Sequence, residues 1–239
     1  MIYLYMFIGL VVSYLIGSIP FGFIIPKLFK NIDIREHGSF NVGSTNVVRT
    51  LGIKYGLLVF FFDFIKGTIP ILLIRFLFYN LKIDLITINN QTLDIIILYG
   101  TFTALGHMFS PFINFKGGKA VATGVGVVVG INPLIGFLGI GVFALVAFIT
   151  KYVSLGSIFG ASSVAIMMWF SILIPWLWLP SPNLIISYEA QFINLILITL
   201  MVLLIIIKHK KNIVRLLNGT ENKIGQKKKE EVNLDKNNW

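Results

Sequence analysis

Two lysines flank a glycine pair at Lys116-Gly-Gly-Lys119, and an apolar run follows at once. Glycines ahead of a helix leave backbone N–H groups open, and the helix dipole favours an anion there. With two ammonium groups beside it, the stretch is a phosphate cradle by physics. It lacks the Gly-x-x-x-x-Gly-Lys-Ser/Thr pattern, so nucleotide hydrolysis is not indicated. The cradle is the centre of a polar cluster running from Gly106 to Thr123. A second cluster, Asp33 to Arg49, packs hydroxyls, amides and a guanidinium, groups that donate to phosphate oxygens. A third runs from Lys208 to Gly225. In it His209, Asn212 and Arg215 recur every third residue and share a face if the last helix continues, with Asn218-Gly219 ending it. Each cluster also has a plainer reading: a capped loop, a flexible turn with flanking lysines, and a basic stop beside a membrane. The last leaves the His-Asn-Arg face and Glu221 unexplained. All three histidines, His37, His107 and His209, lie within the clusters.

These groups need a frame, and the composition says which. Of 239 residues, 56% are hydrophobic and 13% charged, against about 25% charged in soluble domains. Seven apolar segments stand out, at roughly 3–27, 52–78, 93–107, 121–131, 133–150, 157–175 and 190–208. The expected fold is an all-α membrane protein, a bundle of about seven transmembrane helices with the motif loops on the cytoplasmic side. The fourth segment is short for a span, and Asn132-Pro133 joins it to the fifth, so five or six spans are alternatives. The first segment has no basic n-region and reads as a retained helix. Seventeen basic residues fall on one side of this arrangement, including Lys27, Arg35, Lys116, Lys151 and nine beyond residue 207. The opposite side has Arg75 and Lys82, with Asp84, Asp94 and Glu189. The positive-inside rule therefore predicts a multi-pass cell-membrane protein with the N-terminus outside and the C-terminus cytoplasmic. Asp63 and Lys66 sit three apart within the second segment and must face the bundle or a cleft. Residues 1–225 form one membrane domain, and 226–239 reads as a polar, disordered cytoplasmic tail. The chain has no cysteine, which excludes disulfides and zinc–thiolate sites.

Anion-binding clusters gathered at one face of an apolar bundle suit a phosphorylated, water-soluble substrate held beside a hydrocarbon chain. Lys, Arg and N–H groups would also steady charge that builds during acyl transfer. Coenzyme-A-dependent acyltransferases of this kind typically carry His-x-x-x-x-Asp, but Val42, Phe112 and Val214 stand five residues after the three histidines. No Gly-x-Ser-x-Gly elbow is present, which argues against a serine esterase. The non-enzymatic alternative is a membrane transporter of an organic phosphate anion, consistent with broken helices and the Asp63/Lys66 pair. Against it, the three motifs do not repeat and the opposite face is poor in polar groups.

The chain resembles the acyl-phosphate-dependent glycerol-3-phosphate acyltransferases of bacteria, the PlsY family. Ser39-Phe-Asn-Val-Gly-Ser-Thr-Asn-Val-Val-Arg49 is similar to its first motif. Gly106 to Phe112 with Phe115 to Thr123 is similar to the second, and His209 to Glu221 to the third. Gly17-Ser-Ile-Pro-Phe-Gly22, Asp63-x-x-Lys-Gly67 and Tyr152 to Leu155 agree as well, so the resemblance covers about residues 13–225. It implies a fatty acyl phosphate donor and sn-glycerol 3-phosphate acceptor, with lysophosphatidic acid and phosphate as products, the first step of phospholipid synthesis. It implies no metal, no cofactor and no nucleic acid, and membrane lipid as the surroundings. The catalytic residues it implies are His107, His209, Lys119 and Arg49. For substrate binding it implies Ser39, Asn41, Thr45, Asn46, Arg49, Lys116, Gly117, Gly118, Lys119, Ser154, His209 and Asn212. Among these, Thr45, Asn46 and His107 order the pocket. Glu221, Arg215, Asp63 and Lys66 are the supporting residues. The general base stays open between His107, His209 and a substrate phosphate oxygen. The chain departs from the motifs at Phe40 and Ala120, where the family has glycine, at Ser44, and at Ser110-Pro111, where a proline is displaced by one. A phenylalanine at position 40 costs energy if the backbone there needs a positive φ, and the Ala120 methyl would crowd a cradled phosphate.

Overall fold

The computed structural model describes residues 2–80, 86–88, 91–93, 96–171, 173 and 188–224. Each of the seven apolar segments contains helix. In chain order they are α1 (Ile2–Ser18), α2 (Phe21–Lys30), α3 (Ser44–Leu51), α4 (Ile53–Asn80), α5 (Ile96–Met108), α6 (Val121–Ile131), α7 (Pro133–Thr150), α8 (Val153–Phe170), α9 (Tyr188–Lys208) and α10 (Lys210–Leu217). One feature falls outside the all-helical expectation: β1 (Ile86–Ile88) and β2 (Gln91–Leu93) pair antiparallel, with Ile86 opposite Leu93. Their β-branched residues favour strand, but runs this short escape a periodicity reading. Lys82, Asp84, Asp94 and the tail 226–239 lie outside the described residues.

Four helical stretches are long and apolar enough to cross a membrane: Ile53–Leu77, Ile96–Ile113, Pro133–Thr150 and Val153–Phe170. The total reaches six if the bent pairs Tyr3–Ser18 with Phe21–Lys30 and Phe192–Lys208 with Lys210–Leu217 each count as one. Helix α6 is the seventh apolar element. Its 11 residues extend about 16 Å, roughly half a hydrocarbon core. It stops where the sequence indicates, because the Asn132 side chain accepts from the Ile135 N–H at 3.1 Å and Pro133 opens α7.

The short helix lies inside the bundle. Gly67 of α4 leaves room for the Thr123 carbonyl of α6, and Gly126 of α6 does the same for Phe64, so their backbones nearly touch. Around them a core runs through Ile71, Tyr99, Val127, Met168, Leu195 and Ile198. A smaller core of Ile25, Ile34, Val42, Val47, Val59 and Ile113 packs beneath the first polar cluster. The outer surface is apolar: Phe7, Leu57, Phe61, Leu72, Phe137, Phe148 and Phe159 are all exposed. That is the surface of a helix bundle solvated by lipid.

The last helix does not continue straight as the three-residue spacing assumed. It bends by 56° between Lys208 and Lys210, with His209 at the corner. The bend lays α10 and its polar residues across the end of the bundle.

Candidate active site

The Lys116–Lys119 turn is built on His107. The Gly118 N–H donates to the His107 carbonyl at 3.1 Å. A Cβ on Gly118 would run into the His107 ring at Nε2, and one on Gly117 would strike the His107 carbonyl. Only glycine fits this close approach. After the turn Ala120 adopts φ +58°, and α6 begins without a side-chain cap. The first N–H groups of α6 have no partner within the helix. Ala120 is fully buried and belongs to the main core.

Lys119 is tied to α10. Its ammonium donates to Asn212 Oδ1, which turns the Asn212 amide nitrogen towards Glu221 Oε1 at 2.8 Å. The Glu221 side chain is 1% exposed. It also accepts from Ser154 Oγ at 3.0 Å and from Arg215 Nε at 2.6 Å. Burial alone would push this carboxyl up, but the Arg215, Asn212 and Ser154 hydrogen bonds outweigh it and hold it below the usual range. Burial pushes Lys119 down to about 8, with Glu221 opposing and the Arg215 and Arg49 charges adding to the fall.

Residues beyond α10 form a strap. The Ile224 N–H donates to the Lys151 carbonyl at 2.8 Å, Lys223 lies over the Tyr152 ring, and Arg49 reaches the Asn222 carbonyl at 3.4 Å. A further clamp comes from Lys208, whose ammonium donates to the Met108 carbonyl at 3.2 Å and sits 4.1 Å above the Phe109 ring. The three polar clusters are therefore joined to one another and to the α7–α8 corner.

Within the first cluster, Asn46 is the knot. Its Oδ1 accepts from the Ser39 N–H at 2.7 Å, and its amide nitrogen reaches the Ile34, His37 and Asn41 carbonyls. The side chain is buried and its amide is spent on the loop's own backbone. Asn41 Oδ1 accepts from the Gly43 N–H. Ser39 and Thr45 are half-buried, while Lys116 and Arg49 are exposed. His37 accepts no role at the site: it is exposed and its Nδ1 bonds the Asp33 carbonyl. Phe40 does take the strained backbone, at φ +59°.

The two remaining histidines differ. His209 is buried, with Nδ1 2.8 Å from the Ile205 carbonyl. A carbonyl only accepts, so Nδ1 carries the proton and Nε2 keeps its lone pair. His107 is buried too, with Gly118 against Nε2 and Asp63 Oδ1 3.6 Å from Nδ1. The ring thus lies between Asp63 on one side and the glycine turn on the other. Asp63 pairs with Lys66 at 2.7 Å, and Lys66 donates to the Ile19 carbonyl.

Behind the cradle opens an apolar groove of about 90 Å³ between α4, α6, α7, α8 and α9. Its lining includes Phe60, Val121, Phe143, Ala161, Met201 and Ile205. Val121 is two residues from Lys119, and Ile205 carries the carbonyl that His209 holds, so the groove meets the polar site at its end.

A sequence model of the family described as Glycerol-3-phosphate acyltransferase matches residues 7–219. The chain belongs to the glycerol-3-phosphate acyltransferase family. It is 60% identical over 225 residues to the glycerol-3-phosphate acyltransferase of Acholeplasma laidlawii, covering 94% of this chain and 95% of that one. The Phytoplasma australiense glycerol-3-phosphate acyltransferase is 44% identical over 234 residues, covering 96% and 99%. The fold matches the crystal structure of PlsY (YgiH), an integral membrane glycerol 3-phosphate acyltransferase, in its glycerol 3-phosphate form. The TM-score is 0.73 at 37% identity, over 92% of this chain and 95% of that one. The same protein's lysophosphatidic acid form matches with TM-score 0.71 at 36% identity. The chain is thus an integral membrane member of this acyltransferase family.

Some of what holds the site was not singled out in the sequence. Lys208 reads as one more flanking lysine, nothing about Lys151 or Asn222 signals a strap, and the motif agreement at Tyr152 does not announce its contact with Lys223. Their contacts are backbone carbonyls and ring faces, which residue type alone does not announce.

Proposed function

We propose that this protein transfers a fatty acyl group from acyl phosphate to the 1-hydroxyl of sn-glycerol 3-phosphate, releasing lysophosphatidic acid and inorganic phosphate. The observation that carries the reading is the junction of a cationic, hydrogen-bonding site with an apolar groove. Lys119, Arg49, Ser39, Ser154, Asn212 and the Gly117–Gly118 turn take up the two phosphates. The groove takes the donor's hydrocarbon chain and aims its carbonyl at the polar end. The acceptor hydroxyl then attacks the carbonyl carbon, and the carbon–oxygen bond to phosphate breaks. Phosphate leaves with the bonding electron pair, and the hydroxyl proton passes to His209 Nε2 or to a phosphate oxygen. An acyl phosphate is already activated, so the protein supplies orientation and charge stabilisation. The basic side, with the motif loops and the C-terminus, faces the cytoplasm and the N-terminus lies outside. Residues 1–225 are the catalytic unit.

The direct test supplies purified protein with labelled glycerol 3-phosphate and either palmitoyl phosphate or palmitoyl-coenzyme A. Labelled lysophosphatidic acid from the acyl phosphate alone is the expected result. Product from the thioester alone would overturn the donor, and product from neither, with folded protein, would bring the phosphate transporter forward.

A further inference from the structure

Asp63, Lys66 and His107 form a buried ionisable group beneath the cradle that the transfer step does not use. All three are less than a tenth exposed. Asp63 and Lys66 satisfy each other's charge, but their arrangement exceeds what charge balance needs. Lys66 spends a hydrogen bond on the Ile19 carbonyl, which ties α4 to the break between α1 and α2. Asp63 Oδ1 lies 2.7 Å from the ammonium yet makes no well-aligned hydrogen bond. The same oxygen faces His107 Nδ1 at 3.6 Å, too far for a direct bond.

Between these groups a small cavity of about 10 Å³ is lined by Asp63, Lys66, His107, Ser18 and Ser110. Room of roughly this size admits one water if two to four polar partners surround it. Asp63 Oδ1 accepts, and Lys66 and the ring nitrogen complete the set. Ser18 and Ser110 bond elsewhere, to the Tyr14 and Ser18 carbonyls. On its other edge the His107 ring lies against Gly118, and its backbone carbonyl receives the Gly118 N–H. Any tilt of the ring is passed to the turn that presents Gly117, Gly118 and Lys119.

We propose that Asp63 is a positioning residue that, through one bridging water and the His107 ring, sets the Lys116–Lys119 turn in its phosphate-binding shape. The inference rests on the reading that this turn holds a substrate phosphate. A carboxylate is suited to the task because it only accepts. It orients the water's hydrogens towards itself and leaves the water's lone pair for the ring N–H. The proton then stays on Nδ1, and the unprotonated Nε2 edge is the one pressed against Gly118.

The experiment separates this role from internal charge pairing. The paired variant Asp63→Asn/Lys66→Met removes both charges, so no lone ammonium is left in the bundle. Asp63→Glu keeps the charge but pushes the carboxylate about one methylene further into the water cavity. Equilibrium binding of labelled glycerol 3-phosphate and of inorganic phosphate is measured in detergent, with KM and kcat for both substrates. The expected result in each folded variant is phosphate-ligand binding weakened about tenfold and KM raised to match, with kcat within threefold of the parent. Parent-like binding and KM in either folded variant would overturn the proposal. If the paired variant does not fold, Asp63→Glu alone decides, because its ion pair is retained. Failure of the underlying reading looks different: the unaltered protein itself would bind neither ligand.

Discussion

Glu221 concentrates the site's dependence on single residues. Its carboxylate holds Ser154, Asn212 and Arg215 at once, and Asn212 in turn holds Lys119. Removing a buried acceptor strands its donors, at about 1–3 kcal/mol each. Glu221→Ala is therefore expected to lower the melting temperature and cut activity at least a hundredfold, while Glu221→Gln retains part of both, as thermal melts and turnover assays will show. Lys119 sets the alkaline limit. Its folded pKa, about 8, lies below the usual lysine value, so the ammonium is present below that pH and lost as pH rises through it. KM for the phosphate substrates should climb above about pH 8. Lys119→Arg, which stays charged, should flatten that rise. As to stability, the depressed pKa means the folded state sheds this proton first, so deprotonation between about 8 and the ordinary lysine value of 10.5 favours folding. A loss of affinity there with no loss of melting temperature identifies the ammonium itself. Phe40 occupies left-handed backbone while the residue is 68% exposed, so little packing offsets its strain. Phe40→Gly should raise stability by about 0.5–1 kcal/mol in a chemical-denaturation series.

At the scale of elements, the sequence disclosed the helices better than their ends. The seven apolar runs are legible because lipid demands long uncharged stretches, and Asn132-Pro133 announced a break. The 56° corner at His209 was not legible. The chain there has neither proline nor glycine, and the bend follows from contacts made by residues on either side, chiefly Lys208 with Met108 and Asn212 with Lys119. A three-residue spacing on a continuing helix and the same residues on a turned one look alike in sequence. Close packing of α6 against α4 was legible only in part, since many glycines look equivalent until a carbonyl is seen lying over Gly126. Gly126→Val should separate the two helices and destabilise the bundle by about 2–3 kcal/mol, read as a lowered melting temperature. The same substitution at Gly141, where added bulk meets nothing, should leave the melt unchanged.

For the whole molecule, the groove and the cradle have separate owners. The groove's walls belong to α4, α6, α7, α8 and α9, whereas the polar site is drawn from loops, the short helices α3 and α10 and the first turn of α8. Acyl-chain preference should therefore change without loss of phosphate binding. Ala161→Phe is expected to raise KM for palmitoyl phosphate about tenfold, to leave octanoyl phosphate nearly unaffected, and to spare KM for glycerol 3-phosphate. Ser39, Lys119 and Asn212 could be named from the sequence because they stand in polar clusters similar to the family's motifs. Their gathering at one face was legible as well, but not the strap that runs from Gly219 to Ile224 and ends on the Lys151 carbonyl. That strap also fixes an order of events during synthesis. The ribosome makes residues 119 and 154 long before residue 221, so these groups wait without the carboxylate that links them through Asn212. A nascent chain in the membrane is therefore expected to gain activity only once Glu221 has been translated and the strap has docked, as truncations before and after the strap will show.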